Sequence, residues 1–356
     1  MTDTTAVSGA RVAAQRLEAF IARAFETVGI SAPEAKSIAE LMTRADLNGA
    51  DGHGVFRLPQ YIRRIKGGAV NIKPKIRIER EAAGMALVDG DNGMGHLVMR
   101  FATEHAIEKA KTAGTAWVGV KWSNHAGPAS LYASMPVAHG MIGLYLAVGN
   151  ANHLAAWGGL DMLLSTNPIA VGIPAGEEAP IVLDMATTVA AYGKVKTAAQ
   201  RGETMPEGWM IDRQGRPLTD PKRAAEGLLL PIGGYKGYGL ALVFGLLAGT
   251  LNGAAMGRDV VDFNADDVTP TNTGHVIVAI DVSAFRPLAE FKAAADQLIR
   301  DIRNSRRLPG VDAVRLPGEQ SHAKRAERAR LGIPLPPPLA ASLNRLAADL
   351  KIPPLL

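Results

Sequence analysis

Residues 239–255, GLALVFGLLAGTLNGAA, carry no charge at all. An apolar run of that length has two destinations: the hydrocarbon of a bilayer or a packed position inside a protein. Glycines at 239, 245, 249 and 253, and the adjoining GGYKGYG of residues 233–239, favour the second. The run therefore predicts a buried core helix rather than a membrane span. A buried helix needs layers on its flanks, and the surrounding sequence supplies them.

Strand-like stretches recur on both sides of it: KIRIER, GMALVDG, TAWVGVK, MIGLYLAV, IAVGIPA, IVLDM and GHVIVAID. Helical periodicity marks residues 10–28, SAPEAKSIAELMTRADLNG, GHLVMRFATEHAIEKAKTAG, PASLYASMPVAHG, a segment from about Val189, LAEFKAAADQLIRDIR and GEQSHAKRAERARLG. GWMIDRQGRPLTDP reads as a polar excursion turning at Gln214-Gly215, and IPLPPPLAAS as a proline-stiffened linker before a last short helix. The expected fold is α/β with helical N- and C-terminal regions. Its domains are expected to be 1–80 with 285–356, and 81–284 as an inserted lobe.

Charge and composition narrow the function. The net charge is +5, with basic residues scattered rather than striped. That argues against nucleic acid as a partner and for attraction of small anions. Cysteine is absent, which excludes disulfides, thiolate metal sites and a cysteine nucleophile. Residues 1–20 lack a leader's apolar stretch, so a cytoplasmic protein without membrane contact is expected. The eight histidines are dispersed and no H-E-x-x-H occurs, so no metal is expected. There is no G-x-G-x-x-G, no P-loop (Gly193-Lys194 lacks the glycine five places before it) and no G-x-S-x-G.

Four polar clusters carry the chemistry. In DGHGVFRLPQY, His53 lies between two glycines and Arg57 falls on the first turn of a helix starting near Phe56. An imidazole suits proton transfer at neutral pH and a guanidinium suits a carboxylate; a helix start with a solvated arginine is the plainer alternative. Ser123, Asn124 and His125 follow a strand and precede a helix near Pro128, a position where ligands or a capping turn are found. Thr166-Asn167 precede a strand and Asp184 ends one, suited to a ribose, a histidine or a helix cap. Lys236 stands among glycines at the mouth of the apolar helix, suited to phosphate or carboxylate, or merely solvated.

Taken in order, ADLNGADGHGVFRLPQY, VKWSNHAG, AWGG, TNPIAVGIP, VLDMATT, PIGGYKGYGLAL and RLPGE resemble the type 2 malate/L-lactate dehydrogenase family. The resemblance implies a mixed sheet with helical flanks, an NAD(P)-binding lobe that is not a standard Rossmann domain, NAD or NADP as cofactor, and a homodimer. It implies hydride transfer at C2 of a small 2-oxo or 2-hydroxy acid, with cyclic imine reduction or a catalytically impaired NAD(P)-binding homologue as alternatives. By position it makes His53 the proton donor and Arg57 the carboxylate anchor. His125 is a second candidate acid–base and, with Ser123 and Asn124, meets cofactor and substrate. Thr166 and Asn167 fall on the substrate side; Asp184, Met185, Ala186, Lys236, Gly237, Gly318 and Glu319 fall on the cofactor.

Three positions depart from that family. Gly52 stands where a serine would bond the histidine, so another group or water must orient His53. Lys194 stands near where ketimine reductases carry an aspartate. Ser165 replaces the glycine that precedes Thr-Asn-Pro.

Overall fold

The computed structural model describes residues 10–356; residues 1–9, which open the stretch read above as lacking a leader, lie outside the described residues. In chain order the N-terminal elements are β1 (Ala10–Val12), α1 (Ala14–Thr27), α2 (Ala32–Leu47) and α3 (Leu58–Lys66). In α1, Leu17, Phe20, Ile21, Ala24 and Phe25 are buried, one stripe at helical spacing. Each large side chain in such a stripe contributes about 1.5–3 kcal/mol by leaving water. β2 (Arg77–Ala82), β3 (Met85–Asp89), α4 (Gly95–Ala113), β4 (Thr115–Ser123), α5 (Ser130–Ala133) and β5 (Met141–Ala147) follow. Gly114 closes α4 at φ +75°, where a side chain would be strained.

Next come β6 (Leu154–Ala155), β7 (Met162–Leu164), β8 (Ile169–Ile173), β9 (Ile181–Met185), α6 (Tyr192–Arg201), β10 (Met210–Asp212), β11 (Gly227–Leu229) and α7 (Tyr235–Ala248). The chain ends with β12 (Thr273–Asp281), α8 (Leu288–Arg303), α9 (Glu319–Leu331), β13 (Ile333–Leu335) and α10 (Pro337–Leu350). Seven strands form one sheet in the order β2-β3-β4-β12-β5-β8-β9. Only β3 and β4 pair in parallel, joined through α4; every other pairing is antiparallel. A doubly wound dinucleotide sheet needs parallel strands throughout its crevice. This sheet is the mixed one expected, and the missing glycine fingerprint follows from it.

Several expectations change. PASLYASMPVAHG holds α5 for four residues only, because Pro136 has no N–H to continue it and a 3₁₀ turn, Pro136–His139, takes over. IPLPPPLAAS is not a linker. Its first residues form β13, antiparallel to β1, and Pro337 opens α10 at a position where a missing N–H costs nothing. GWMIDRQGRPLTDP is not a mere excursion: β10 pairs with β11. Met210 and Leu218 join Val195, Ala198, Met205 and Leu229 in a small core beneath α6.

The largest correction concerns the uncharged run. α7 is a helix, but Leu240, Val243 and Leu246 are exposed while Ala241, Gly245 and Ala248 are buried. Small residues face the sheet because the backbones are close. A side chain on Gly274 of β12 would begin 2.0 Å from the Ala248 carbonyl, and one on Gly245 would begin 2.3 Å from Met256. The bulky residues are therefore turned outward. No helix among the described residues is long and apolar enough to cross a membrane.

Candidate active site

The segment between α2 and α3 is shaped by a buried carboxylate. Asp46 accepts a hydrogen bond from the Val55 N–H at 2.8 Å, and its burial pushes its pKa up to about 8. A side chain on Gly54 would begin 2.1 Å from that carboxylate, so only glycine lets the turn seat there. The seated turn leaves His53 on one side and Arg57 at the head of α3.

From α3 a row of polar side chains reaches the 263–269 loop. Gln60 donates to the Phe263 carbonyl at 2.6 Å, and Arg64 donates to the carbonyls of Asp266 and Thr269, the latter at 2.8 Å. Arg57 donates through Nε to the Gly52 carbonyl (2.9 Å) and through Nη1 to Gln60 (2.8 Å) and to Asn264 Oδ1 (3.3 Å). Among the described residues its Nη2 makes no hydrogen bond, which leaves one face of the fork for an anion. The guanidinium carbons of Arg57 and Arg64 lie 5.6 and 5.4 Å from the centre of the Phe263 ring.

His125 lies on the same ring. It stacks on Phe263 at 5.0 Å and on His53 at 5.6 Å, with the planes 14° and 12° apart. Its Nδ1 is 2.6 Å from the Tyr61 hydroxyl and 3.4 Å from the Gly127 N–H. Since the amide can only donate, Nδ1 is the accepting nitrogen and the ring proton sits on Nε2. Burial, then the charge of Arg57, holds His125 well below the ordinary imidazole range. The same two causes, in that order, bring His53 down to about 4. Both rings are neutral at pH 7 with no anion present.

His53, Arg57, His125 and Thr166 line one cavity of about 140 Å³, together with His153, Tyr192, Lys196, Asn264 and the 147–151 segment. Other predicted residues stand behind its wall. Ser123 meets His275 Nε2 at 3.1 Å, and Asn124 donates to the Gly93 carbonyl at 2.9 Å. These bonds fix the 123–125 turn, which follows Trp122 at φ +49°, a strained value for a bulky residue. Asn167 accepts from Gly149 N–H (3.0 Å) and donates to the Ala241 carbonyl (2.7 Å), tying the cavity wall to α7. At Gly52 a side chain would meet nothing within 4 Å, so the missing serine leaves space, not a rearranged turn.

The predicted cofactor residues follow β9, an edge strand. Val182 N–H donates to the Pro317 carbonyl at 3.1 Å, which sets Gly318 beside the start of β9. Glu319 pairs with Arg303 at 2.8 Å. Asp184 accepts from Ser130 N–H at 2.8 Å, and Met185 and Ala186 follow it. Ile232 N–H donates to the Thr187 carbonyl at 3.0 Å, which brings in the Gly233–Gly234 turn ahead of α7. That turn suits a dinucleotide. Gly233 and Gly234 have φ of +56° and +65°, nothing lies within 4 Å of a side chain built on Gly233, and Lys236 is exposed on the first turn. Successive backbone N–H groups at the head of a 14-residue helix, beside an ammonium, are a donor set for a diphosphate.

Tyr61, His153, Tyr192, Lys196, Phe263 and Asn264 were not singled out from sequence. Tyr61 had a signal: four residues after Arg57, it shares that helix face. Asn264 and Lys196 had none, since they reach Arg57 only through the fold.

Comparison with known proteins agrees with this architecture. The model of the malate/L-lactate dehydrogenase family matches residues 12–344. Malate dehydrogenase of Pyrococcus horikoshii is 38% identical over 346 residues, 95% of this chain and 94% of that protein. Its solved structure superposes with a TM-score of 0.89 over 97% of each chain, at 35% identity. Ureidoglycolate dehydrogenase (NAD(+)) of Escherichia coli K12 is 31% identical over 91% of this chain and 92% of its own. (2R)-3-sulfolactate dehydrogenase (NADP(+)) of Chromohalobacter salexigens is 32% identical over 89% and 92%. A structure of Δ1-piperideine-2-carboxylate reductase from Pseudomonas syringae superposes with a TM-score of 0.83 at 30% identity, covering 96% of this chain and 99% of that one. A family match along nearly the whole described chain, on a mixed sheet that brings His53, Arg57 and His125 to one cavity, places the chain in the malate/L-lactate dehydrogenase family.

Proposed function

We propose that the chain interconverts small 2-oxo and 2-hydroxy acids with NAD(P)H, with Arg57 holding the carboxylate, His53 moving the proton and His125 holding the reacting oxygen. The observation that carries this reading is the convergence of those three side chains on one cavity. The cofactor, when bound, supplies or accepts the hydride at C2; Gly233, Gly234, Lys236 and the β9 edge from Asp184 to Ala186, with Gly318 and Glu319, are the residues that would hold it. NAD and NADP both occur among the named relatives.

The division between the histidines follows from their partners. His125 has Nδ1 committed to Tyr61, so its Nε2–H serves as a fixed donor to the carbonyl oxygen. Burial, then the charge of Arg57, holds the His125 imidazole well below its ordinary range, so it stays the neutral donor. His53 carries burial and Arg57 against it as well. A substrate carboxylate on Arg57 removes the second of these and lets His53 take up the proton it must give. In reduction, C2 gains the hydride, the oxygen gains the His53 proton, and His53 is left neutral; oxidation reverses each transfer.

The test is a 340 nm screen of oxaloacetate, pyruvate and Δ1-piperideine-2-carboxylate with NADH and NADPH. Turnover of a 2-oxo acid ahead of the imine is expected. Where the ketimine reductases tend to carry an aspartate this chain has Lys194, exposed on α6, so no carboxylate is offered from there to an iminium. Faster turnover of the imine overturns the reading.

The exposed strip on α7 supports a homodimer. Leu240, Val243 and Leu246 form an apolar row, and Leu251 beyond it is 64% exposed. A row of that kind on a helix face without charge is the composition of a subunit contact. Val243→Asp is expected to convert the dimer to monomer in sedimentation velocity, since it buries an unpaired carboxylate. A wild-type monomer, or a variant dimer of unchanged affinity, counts against the contact.

A further inference from the structure

We infer that Arg328 is a positioning residue for the reaction, and that through it α9 is a strut between the cofactor edge and the turn that carries His53 and Arg57. The inference rests on the site reading proposed above and gives a part to a helix which that reading uses only at its first residues.

The catalytic turn needs an outside anchor. His53 stands between Gly52 and Gly54, and glycines give the backbone on each side of it more freedom than any other residue would. Its place is therefore set by what holds the chain just before and just after it. After it, the buried Asp46 carboxylate holds the Val55 N–H at 2.8 Å. Before it, the holding group comes from the far end of the chain. Arg328 donates through Nη1 to the Asp46 carbonyl and the Asp51 carboxylate, and through Nη2 to the same carboxylate at 3.2 Å. Among the described residues, every hydrogen bond of the Arg328 side chain goes to this turn. Asp51 is 62% exposed, so the ion pair alone holds little. The Arg328 side chain is 9% exposed, and donors that left the turn would be without partners where water scarcely reaches. Asp51 adjoins Gly52, whose carbonyl takes Arg57 Nε at 2.9 Å. One anchor thus bears on both the imidazole and the guanidinium.

The two ends of α9 serve different sites. At its head, the Pro317 carbonyl accepts from Val182 N–H at 3.1 Å, His322 Nε2 donates to the Pro180 carbonyl at 2.9 Å, and Glu319 pairs with Arg303. These contacts fasten it to the start of β9, where Gly318 and Glu319 would meet the cofactor. Toward its tail, Arg328 reaches the turn and the stem of Lys324 lies over Gly49; a side chain on Gly49 would begin 2.5 Å from Lys324 Cδ. Thirteen residues span about 20 Å and move as one body. A cofactor that holds the head of α9 also holds the tail, so less freedom of the turn is left for the substrate to remove.

The experiment uses two ligands that cannot react. Oxamate presents a carboxylate beside a carbonyl, and ADP-ribose carries the diphosphate but no nicotinamide to place against it. Calorimetry gives the oxamate Kd with and without saturating ADP-ribose. In the wild type ADP-ribose is expected to tighten oxamate at least about 5-fold, the low end of ordinary coupling. Arg328→Met is expected to abolish that tightening and leave the affinity for ADP-ribose alone unchanged. It is also expected to lower kcat/KM for pyruvate by about 10²-fold, the cost of a misplacement of about 1 Å. The acid limb of the lactate oxidation profile should move toward the ordinary imidazole range as His53 meets water. Arg328→Lys, one charge without the fork, should fall between the two. Should Arg328→Met lack a cooperative thermal transition, Arg328→Lys carries the same comparisons. A wild type without tightening, tightening unchanged in the variant, or a fall in kcat/KM with the acid limb unmoved overturns the inference and leaves the reaction standing. A wild type that shows the tightening but turns over no 2-oxo acid overturns the reaction reading and leaves the strut. A wild type that binds no ADP-ribose overturns the cofactor placement and the strut with it.

Discussion

His53→Ala is expected to lower kcat for 2-oxo acid reduction by about 10²- to 10⁴-fold, the usual contribution of a positioned general acid. Binding of NAD(P)H, followed by fluorescence titration, should be unchanged, because no predicted cofactor contact runs through His53. The pH profile gives a second readout. With its pKa brought down to about 4 by burial and by Arg57, His53 is already neutral, and so a competent base, over the whole neutral range. Oxidation of a 2-hydroxy acid should therefore stay flat in kcat/KM well below pH 6.5 and fall only as pH approaches about 4. Reduction needs the protonated form and should weaken as pH rises. Both trends should vanish in His53→Ala. Full turnover in that variant transfers the acid–base role to His125.

Arg57→Leu is expected to lower kcat/KM by about 10²- to 10³-fold, mostly as a rise in KM, since truncating one partner of a buried charged pair costs about 2–5 kcal/mol. The same substitution removes the second cause that depresses His53. The acid limb of the oxidation profile should then move to higher pH, with burial still holding it below the ordinary value. A fall in kcat/KM without that movement would separate carboxylate binding from any electrostatic coupling to the imidazole. A variant that unfolds would show in its thermal transition, because Arg57 also bonds Gly52, Gln60 and Asn264.

Much of the fold was legible because it is written in local pattern. Each of the seven strands of the main sheet coincides with a strand-like stretch, and α4 ends at the glycine that marks it. The errors came where local pattern is silent about partners. Ile333–Leu335 looks like part of a proline linker until β1, more than 300 residues away, supplies the other half of the ladder. The apolar run of α7 announces a helix, but composition alone cannot say which face meets the sheet. Small residues turned inward only because β12 approaches closely enough to exclude larger ones.

The sequence by itself determined the types of most elements, the absence of a Rossmann glycine fingerprint, and the residues with chemistry to offer: two glycine-flanked or loop-borne imidazoles, a guanidinium and a lysine at a helix mouth. Tertiary structure decided which of these meet. It stacked His125 on His53 and on Phe263, set the His125 tautomer through the Gly127 N–H, and drew Lys196 and Asn264 to Arg57. It also set Ser123, Asn124 and Asn167 behind the cavity wall as braces. The physical reason is range. Helix and strand periodicity repeat within a few residues, so a single segment displays them. Proton affinity and anion selectivity depend on burial and on charges a few ångströms away in space, and those neighbours come from segments that only the folded chain brings together.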